Sequence, residues 1–521
     1  MPLTENLNQS NHKLVSVTQF PTIREKLRQE GKKVAHCHGV FDLLHPGHIA
    51  HLTEAKSLVD VLVVSITSAP YVNRGPGRPY FSDELRMNSL AALSCVDYVI
   101  LAENPTAIEM IDVIQPDYYV KGQEYAASAE DVTGNIDKEI ERVRAYSGDI
   151  HFTGGVVFSS TKLLNQNFSV FPPGVKEFCQ DLGTRVSFER VKGIMERMKQ
   201  IKVMVVGDII IDEYVFCTIQ GLTSKDRTFS ARYEREEQYL GGTLAIARHL
   251  ANFSDHVTLC GIMGDERQIH SRILNDLGPK MRLDLKFDPN YRTVFKRRFV
   301  ERRGIRNEYD KLFSINYLAN ETENGSVDRK SFYDKLEQDI AGYDLIVIAD
   351  YGHGLLDEHA LDIIQTKAKC LAVNCQTNSS NYGMNLITKY RRADIFTVDD
   401  RELHLALASS SSNTELLLKK LMKSLHAQIG WVTRGSLGSI VMNESHQLVK
   451  TPALTLTVQD TVGAGDAFYA LASLSAQIGI ETEICSFFGN IAGALAANIL
   501  GNAQAIEKGA LLKFAETLLK F

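Results

Sequence analysis

The stretch HGVFDLLHPGHIAHL, residues 38 to 52, decides how the first part of this chain folds. KKVAHCHGVFDLLH reads as a buried strand feeding a turn at Pro46-Gly47, and HIAHLTEAKSLV as a helix with apolar residues near helical spacing. Such a turn leaves His45, His48 and the first amides of the helix facing one small volume. A phosphate could sit there while charge grows on its oxygens. Outward from this point come the strand DVLVVSIT, the loop NRGPGRPY, the helix DELRMNSLAALSCV, the strand YVILA, the helix TAIEMIDVIQ and the strand DYYVKG. Strands alternating with helices predict a parallel, doubly wound α/β sheet. Ligands bind such sheets at the carboxyl ends of the strands, where HPGH, GRPY and VKGQEY fall.

The alternation falters near residue 165, and Pro172-Pro173-Gly174 argues against a continuous helix. We therefore expect a first domain over residues 1–168, a linker over 169–183 and a second domain over 184–521. The second begins with a charged helix, SFERVKGIMERMKQ, and a buried strand, KVMVVGDIIIDEY. DLIVIADYGHG, CLAVNC, ADIFTVDD and IGWVTRG read as its later strands. REEQYLGG and RTVFKRRFVERRGIRNEYDKLFSI alternate at period two without helices between them, which predicts a small antiparallel lid. In the lid run Lys296, Arg297, Arg298, Arg302 and Arg303 could anchor an anion, although at most half of a strand's side chains face one side.

Composition narrows the function classes. The 521 residues leave room for two or three domains, each with its own core. A net charge of -6 and a pI near 6.2 give no global basic field, so nucleic acid is not an expected partner. Eight scattered cysteines form no CxxC pair, which fits reduced thiols and a cytoplasmic protein. The polar N-terminus has no apolar core, and no run approaches the roughly 20 apolar residues that span a bilayer. His36, His38, His45, His48 and His51 cluster in sequence, but no thiolate or carboxylate stands at the spacing of a zinc cage.

In order and content, GVFDLLHPGH, RPYFSDELR, VKGQEY and VVFSSTK resemble the HxGH nucleotidyltransferase superfamily over about the first 165 residues. The resemblance implies that His45 and His48 hold the α-phosphate during in-line attack and that Lys121, with Arg86 as a weaker candidate, binds phosphates. Gly39 and Phe41 would border the nucleotide. Ser159, Ser160 and Thr161 would take the β- and γ-phosphates at a helix N-terminus. Mg2+ would neutralise the departing pyrophosphate.

Downstream, GDIIIDEY, LGGTLAIA, VTRGSLGS and DTVGAGD resemble, in that order, the ribokinase-like (PfkB) sugar kinases, implying that fold with a small β lid. Gly463, Ala464 and Gly465 permit close backbone approach at a helix N-terminus, an anion hole for the transferring phosphoryl group. Asp466 would accept the proton of the attacking sugar hydroxyl. Thr433, Gly435 and Gly438 occupy nucleotide-binding positions, and Asp208, Asp212, Gly241 and Gly242 substrate-binding ones. Two places depart from the family. Asp399-Asp400-Arg401-Glu402 stands where NxxE is usual, leaving Glu402 and Asp399 as indirect magnesium ligands, and Ala245 replaces an Asn that is common where the acceptor is a hexose or heptose. A lost amide removes directional hydrogen bonds to sugar hydroxyls.

The pairing resembles the bifunctional heptose-phosphate kinases and heptose-1-phosphate adenylyltransferases of lipopolysaccharide precursor synthesis, with the domain order inverted. It implies ATP, small sugar phosphates as substrates, ADP-heptose as product and a homodimer formed through the lid. Two alternatives stand beside it: a kinase and CTP-dependent cytidylyltransferase for another sugar or polyol phosphate, and a chain in which one half is a regulatory binding module.

Overall fold

A computed structural model describes residues 11–72, 75, 78–123, 136–154, 171–226, 228–303, 308–318, 327–455 and 458–520. The chain forms two compact units, Met1–Thr184 with Leu512–Phe521, and Arg185–Leu511.

In the first unit five strands, β1 (Val34–Gly39), β2 (Val61–Thr67), β3 (Tyr98–Ala102), β4 (Tyr118–Gly122) and β5 (Asp149–Thr153), form one parallel sheet in the order β3-β2-β1-β4-β5. Alternation along each strand builds a core on both faces. Ala35, Cys37, Leu62, Val64 and Ile66 pack with Leu52 and Leu90 of the helices Pro46–Ser57 and Asp83–Ala91. Val34, Val61, Val63 and Ile100 pack with Phe20, Met110 and Ile114 on the opposite side. Strand order reverses between β1 and β4, which opens a crevice at the carboxyl end of β1, where the HPGH turn lies.

The expected linker is helical instead: Pro173 opens the helix Pro173–Arg185. Proline interrupts a helix in its interior but suits its first turn, where the missing N–H has no partner to lose.

The second unit carries a nine-stranded sheet and a four-stranded lid. In chain order the strands are β6 (Lys202–Gly207), β7 (Ile209–Leu222), β8 (Phe229–Gly241), β9 (His256–Met263), β10 (Arg282–Phe287), β11 (Val294–Arg303), β12 (Glu308–Tyr317), β13 (Leu345–Asp350), β14 (Leu371–Cys375), β15 (Ile395–Asp399), β16 (Ile429–Thr433), β17 (Ser439–Asn443) and β18 (Leu448–Thr451). The large sheet runs β10-β9-β6-β13-β14-β15-β16-β17-β18, parallel as far as β16 and antiparallel beyond. KVMVVGDIIIDEY is two strands, not one: the chain leaves the large sheet at Asp208 and enters the lid as β7. The lid order is β12-β11-β7-β8, antiparallel at both hairpins but parallel between β11 and β7. The expectation of a wholly antiparallel lid fails there, because β7 and β11 each follow directly on a strand of the large sheet, β6 and β10. No helix among the described residues is long and apolar enough to cross a membrane.

Candidate active sites

In the first unit the turn after β1 is shaped by side chains that face inward. Phe41 adopts a left-handed backbone with φ 48° and is buried, while a Cβ at Gly39 would stand 3.1 Å from the Phe41 ring. His45 caps the helix Pro46–Ser57, its Nδ1 accepting from the His48 amide at 3.3 Å. That bond brings the two imidazoles into a stack, 3.9 Å between centroids, with Phe41 edge-on to His48 at 5.1 Å. Burial lowers the pKa of both rings, His48 to about 4, so at neutral pH they meet an anion as N–H donors and not as standing cations.

Beneath the turn, the Ser65 hydroxyl lies 2.7 Å from His36 Nε2 and 2.7 Å from His38 Nδ1, and the Thr67 hydroxyl lies 3.2 Å from His38 Nε2. His51 Nδ1 pairs with the Thr153 hydroxyl at 2.8 Å. Hydroxyls thus hold these rings, and no group of three or more metal-ligating side chains occurs among the described residues.

The other expected residues fall in different places. Lys121, at the end of β4, ion-pairs with Glu139 at 2.9 Å, and Glu139 also accepts from the Tyr119 hydroxyl. Arg86 is fully buried and donates to the carbonyls of Val40 (2.6 Å) and Thr67 (2.9 Å) and to Asp83 (2.6 Å). This guanidinium joins the ends of β1 and β2. Ser159, Ser160 and Thr161 lie outside the described residues. Asp42, which sequence reasoning did not single out, accepts from the amides of Tyr80 (2.8 Å) and Phe81 (3.0 Å) and pairs with Arg78 at 3.3 Å. It ties the GVFD turn to the GRPY loop.

In the second unit Asp466 stands in the first turn of the helix Ala464–Gln477. Gly463 precedes it at φ 82°, and a Cβ there would fall 1.7 Å from Asn502 Oδ1, so only glycine fits. Nothing lies within 4 Å of a Cβ built at Gly465 or at Gly435, which leaves room for close approach. The amides of Gly465 and Asp466 head the helix without intrahelical acceptors. Asp466 Oδ1 accepts from the Tyr351 hydroxyl at 3.0 Å and Gln376 Nε2 at 3.1 Å. Burial pushes this carboxyl up to about 6, Asp212 adding to the rise while Tyr351 and Lys296 oppose it. Tyr351 and Gln376 follow the ends of β13 and β14 and were not legible as site residues, although Tyr351 lies in the quoted DLIVIADYGHG and Gln376 directly follows CLAVNC.

Asp208 and Asp212 divide between two tasks. Asp208 accepts from the amides of Tyr351 (3.1 Å), His353 (3.2 Å) and Leu355 (3.4 Å), and so shapes the turn that delivers Tyr351. Asp212 is buried and ion-paired with Arg298. A Cβ at Gly241 would come within 2.2 Å of Asp212 Oδ2, and one at Gly242 within 3.1 Å of the Tyr351 ring, which accounts for both glycines. Of the basic run, Lys296 and Arg298 share the face toward Asp212, with Lys296 Nζ 5.4 Å from the centre of the Tyr351 ring, while Arg297 turns to Glu213. Ala245 is buried in the helix Gly242–Ala251.

Thr433 ends β16 and Gly438, at φ 83°, closes the turn after it, where a Cβ would strike the Thr451 carbonyl at 2.0 Å. Asp399 and Glu402 form a reciprocal capping box, with Glu402 Oε1 also accepting from the Thr377 amide at 3.0 Å. Burial, with Asp399 nearby, pushes Glu402 up to about 7. Each Glu402 oxygen thus keeps capacity for a further partner.

Comparison with known proteins matches a pfkB family carbohydrate kinase model to residues 200–508 and a cytidylyltransferase-like model to residues 36–171. The protein named Bifunctional protein HldE from Syntrophotalea carbinolica is 40% identical over 130 residues, 25% of this chain and 25% of that protein. Its namesake from Helicobacter pylori strain 26695 is 41% identical over 121 residues, 23% and 25% of the two chains. The namesake from Geobacter metallireducens is 34% identical over 154 residues, 29% and 30%. In these matches the chain spans only about a quarter to a third of its relatives' length. Among solved structures, phosphofructokinase-2 from Escherichia coli has a TM-score of 0.48 at 14% identity, over 61% of this chain and 99% of that one. Ribokinase from Arabidopsis thaliana complexed with ribose and ATP has a TM-score of 0.47 at 18% identity, over 62% and 99%.

Proposed function

The chain belongs to the pfkB family of carbohydrate kinases, and from that premise we propose that it is a bifunctional enzyme of nucleotide-sugar synthesis. One unit phosphorylates a sugar or sugar phosphate from ATP. The other transfers a nucleotidyl group to a sugar 1-phosphate and releases pyrophosphate, with ADP-heptose as the product. What carries this reading is the presence in one chain of two separately built helix N-termini, one led by the stacked His45 and His48 and one by buried Asp466.

In the kinase, Asp466 takes the proton of the sugar hydroxyl as its oxygen attacks the γ-phosphate, and the amides of Gly465 and Asp466 receive the charge on the transferring group. Lys296 and Arg298 supply positive charge beside Asp212, suited to a substrate that already bears a phosphate. Glu402 and Asp399 would hold magnesium, which would supply positive charge to the ATP phosphates when bound. The residues fit it, because a buried carboxyl pushed up to about 7 beside a second acid is a place that a cation stabilises.

In the transferase the attacking oxygen belongs to a phosphate monoester and needs no strong base, so the protein's task is placement and charge. The N–H groups of His45 and His48 serve the α-phosphate, with the charge of Lys121 at the edge of the same crevice. Cytoplasmic location agrees with eight free cysteines. A homodimer through the lid is supported by an exposed apolar face, where Phe299 and Phe313 stack at 4.3 Å.

A second reading, a kinase and cytidylyltransferase for another sugar or polyol phosphate, is favoured by the cytidylyltransferase-like match and by Ala245 in place of an amide. Incubation with ATP, CTP and a panel of sugar phosphates, followed by product mass, separates the two. ADP-heptose supports the first reading, and a CDP-linked product from another acceptor replaces it with the second.

A further inference from the structure

The stretch QTNSSNYGMN, residues 376–385, follows β14 and carries three asparagines that no motif above absorbs. All three side chains reach the backbone of Tyr351 or Gln376. Asn378 Nδ2 and Asn381 Nδ2 each donate to the Tyr351 carbonyl at 2.8 Å, and Asn385 Nδ2 donates to the Gln376 carbonyl at 3.0 Å. The Gln376 amide in turn donates to the Asp350 carbonyl at 2.8 Å. Asp350 is itself buried, its carboxylate paired with Lys389 Nζ at 2.5 Å and accepting from the Tyr390 hydroxyl at 2.6 Å. At Gly352, which has φ 70°, a Cβ would stand 2.3 Å from Asn381 Nδ2, so the turn after β13 closes on this loop only because no side chain intervenes.

The two residues fixed in this way donate to a single atom. The Tyr351 hydroxyl and Gln376 Nε2 meet at Asp466 Oδ1, at 3.0 and 3.1 Å, and fill its two lone pairs, while Oδ2 has no hydrogen bond among the described residues. Burial and Asp466 hold the Tyr351 phenol well above its ordinary pKa, so it stays a donor. We propose that Tyr351 and Gln376 are positioning residues of the kinase: by occupying Asp466 Oδ1 together, they leave Oδ2 as the oxygen that takes the proton of the acceptor hydroxyl. That proton passes to Oδ2 as the hydroxyl oxygen bonds to the γ-phosphorus and the bond from that phosphorus to ADP breaks. The inference rests on the reading of Asp466 as the base.

The test uses the full chain and its Tyr351→Phe and Gln376→Met variants, with ADP formation measured from ATP and the sugar phosphate that the parent turns over fastest. A carboxylate that has lost one of its two donors is less well aimed, so each variant should lose about tenfold in plateau kcat while the KM for the sugar phosphate stays within about twofold. Both donors favour the ionised carboxylate, and removing one raises its pKa from about 6. The acid limb of kcat/KM should therefore move to higher pH by about one unit. Asp212 and Glu402 oppose that ionisation and Lys296 favours it, and neither substitution changes those charges. A loss of packing alone would lower the rate equally at every pH. An unmoved limb in either folded variant, or a loss carried by KM with kcat at the parent value, overturns the proposal. A parent profile flat from pH 5 to 8, or an Asp466→Asn protein of parental rate, removes Asp466 as the base and takes this inference with it.

Discussion

At the scale of single residues, the proposed reading gives one chemistry to Asp466 and the other to His48. Replacing Asp466 with Asn removes the proton acceptor and should lower sugar phosphorylation by about two to four decades while nucleotidyl transfer proceeds at the parent rate. Because burial holds the Asp466 carboxyl up to about 6, and the base acts only when ionised, kinase kcat/KM should rise with pH up to about 6 and level off above. A profile flat from pH 5 to 8 would remove Asp466 as the base. His48 is held down to about 4, so its ring stays neutral over the same range. Nucleotidyl-transfer kcat/KM should therefore show no inflection near 6.5, the ordinary value for His. The motifs that carry His45, His48 and Asp466 were legible in the sequence because each residue sits with its neighbours in one short run. Tyr351 and Gln376 were not, because they reach Asp466 from 115 and 90 residues away. The sequence offers Asp208 as a substrate-binding acid, but its three amide partners follow β13, far along the chain, so its part in shaping a turn was hidden.

At the scale of elements, the glycines and the buried Arg86 decide whether strands and turns meet. Gly241→Ala drives a methyl to within 2.2 Å of Asp212 Oδ2. Displacing that carboxylate and its partner Arg298 should lower kinase kcat/KM by about 100-fold, as a misplacement of 1 Å does, and a steady-state assay of the variant checks it. Arg86→Ala leaves Asp83 and two strand-end carbonyls without their donor. It should destabilise the first unit by about 3 to 5 kcal/mol, read as a lowered denaturant midpoint. An Arg86→Ala protein of parental stability with a raised nucleotide KM would return Arg86 to the role of phosphate ligand. Periodicity gave the strand and helix alternation of both units, because buried parallel strands are continuous apolar runs. It missed the break at Asp208, since β6 and β7 are both buried and read as one run. It also read Pro173 as an interruption where the proline begins a helix. A proline pair marks a helix start as readily as a break, because the first turn has no N–H bond to lose.

At the scale of the whole molecule, the chain divides into two compact units, and the division is not a simple cut, because Leu512–Phe521 belongs with the N-terminal unit. No sequence pattern marked that return, in which a Cβ at Gly75 would stand 2.0 Å from Phe514 Cδ2 and one at Gly183 2.9 Å from the Leu519 carbonyl oxygen. The central claim is that one chain holds two separate phosphate-transfer sites, each led by its own helix N-terminus. Its most direct test is a single assay on the parent chain, Asp466→Asn and His48→Ala, supplied with ATP, CTP, a heptose phosphate and a heptose 1-phosphate, with ADP formation and pyrophosphate release recorded together. Asp466→Asn should lose only ADP formation and His48→Ala only pyrophosphate release. Loss of both signals in either correctly folded variant would contradict the account.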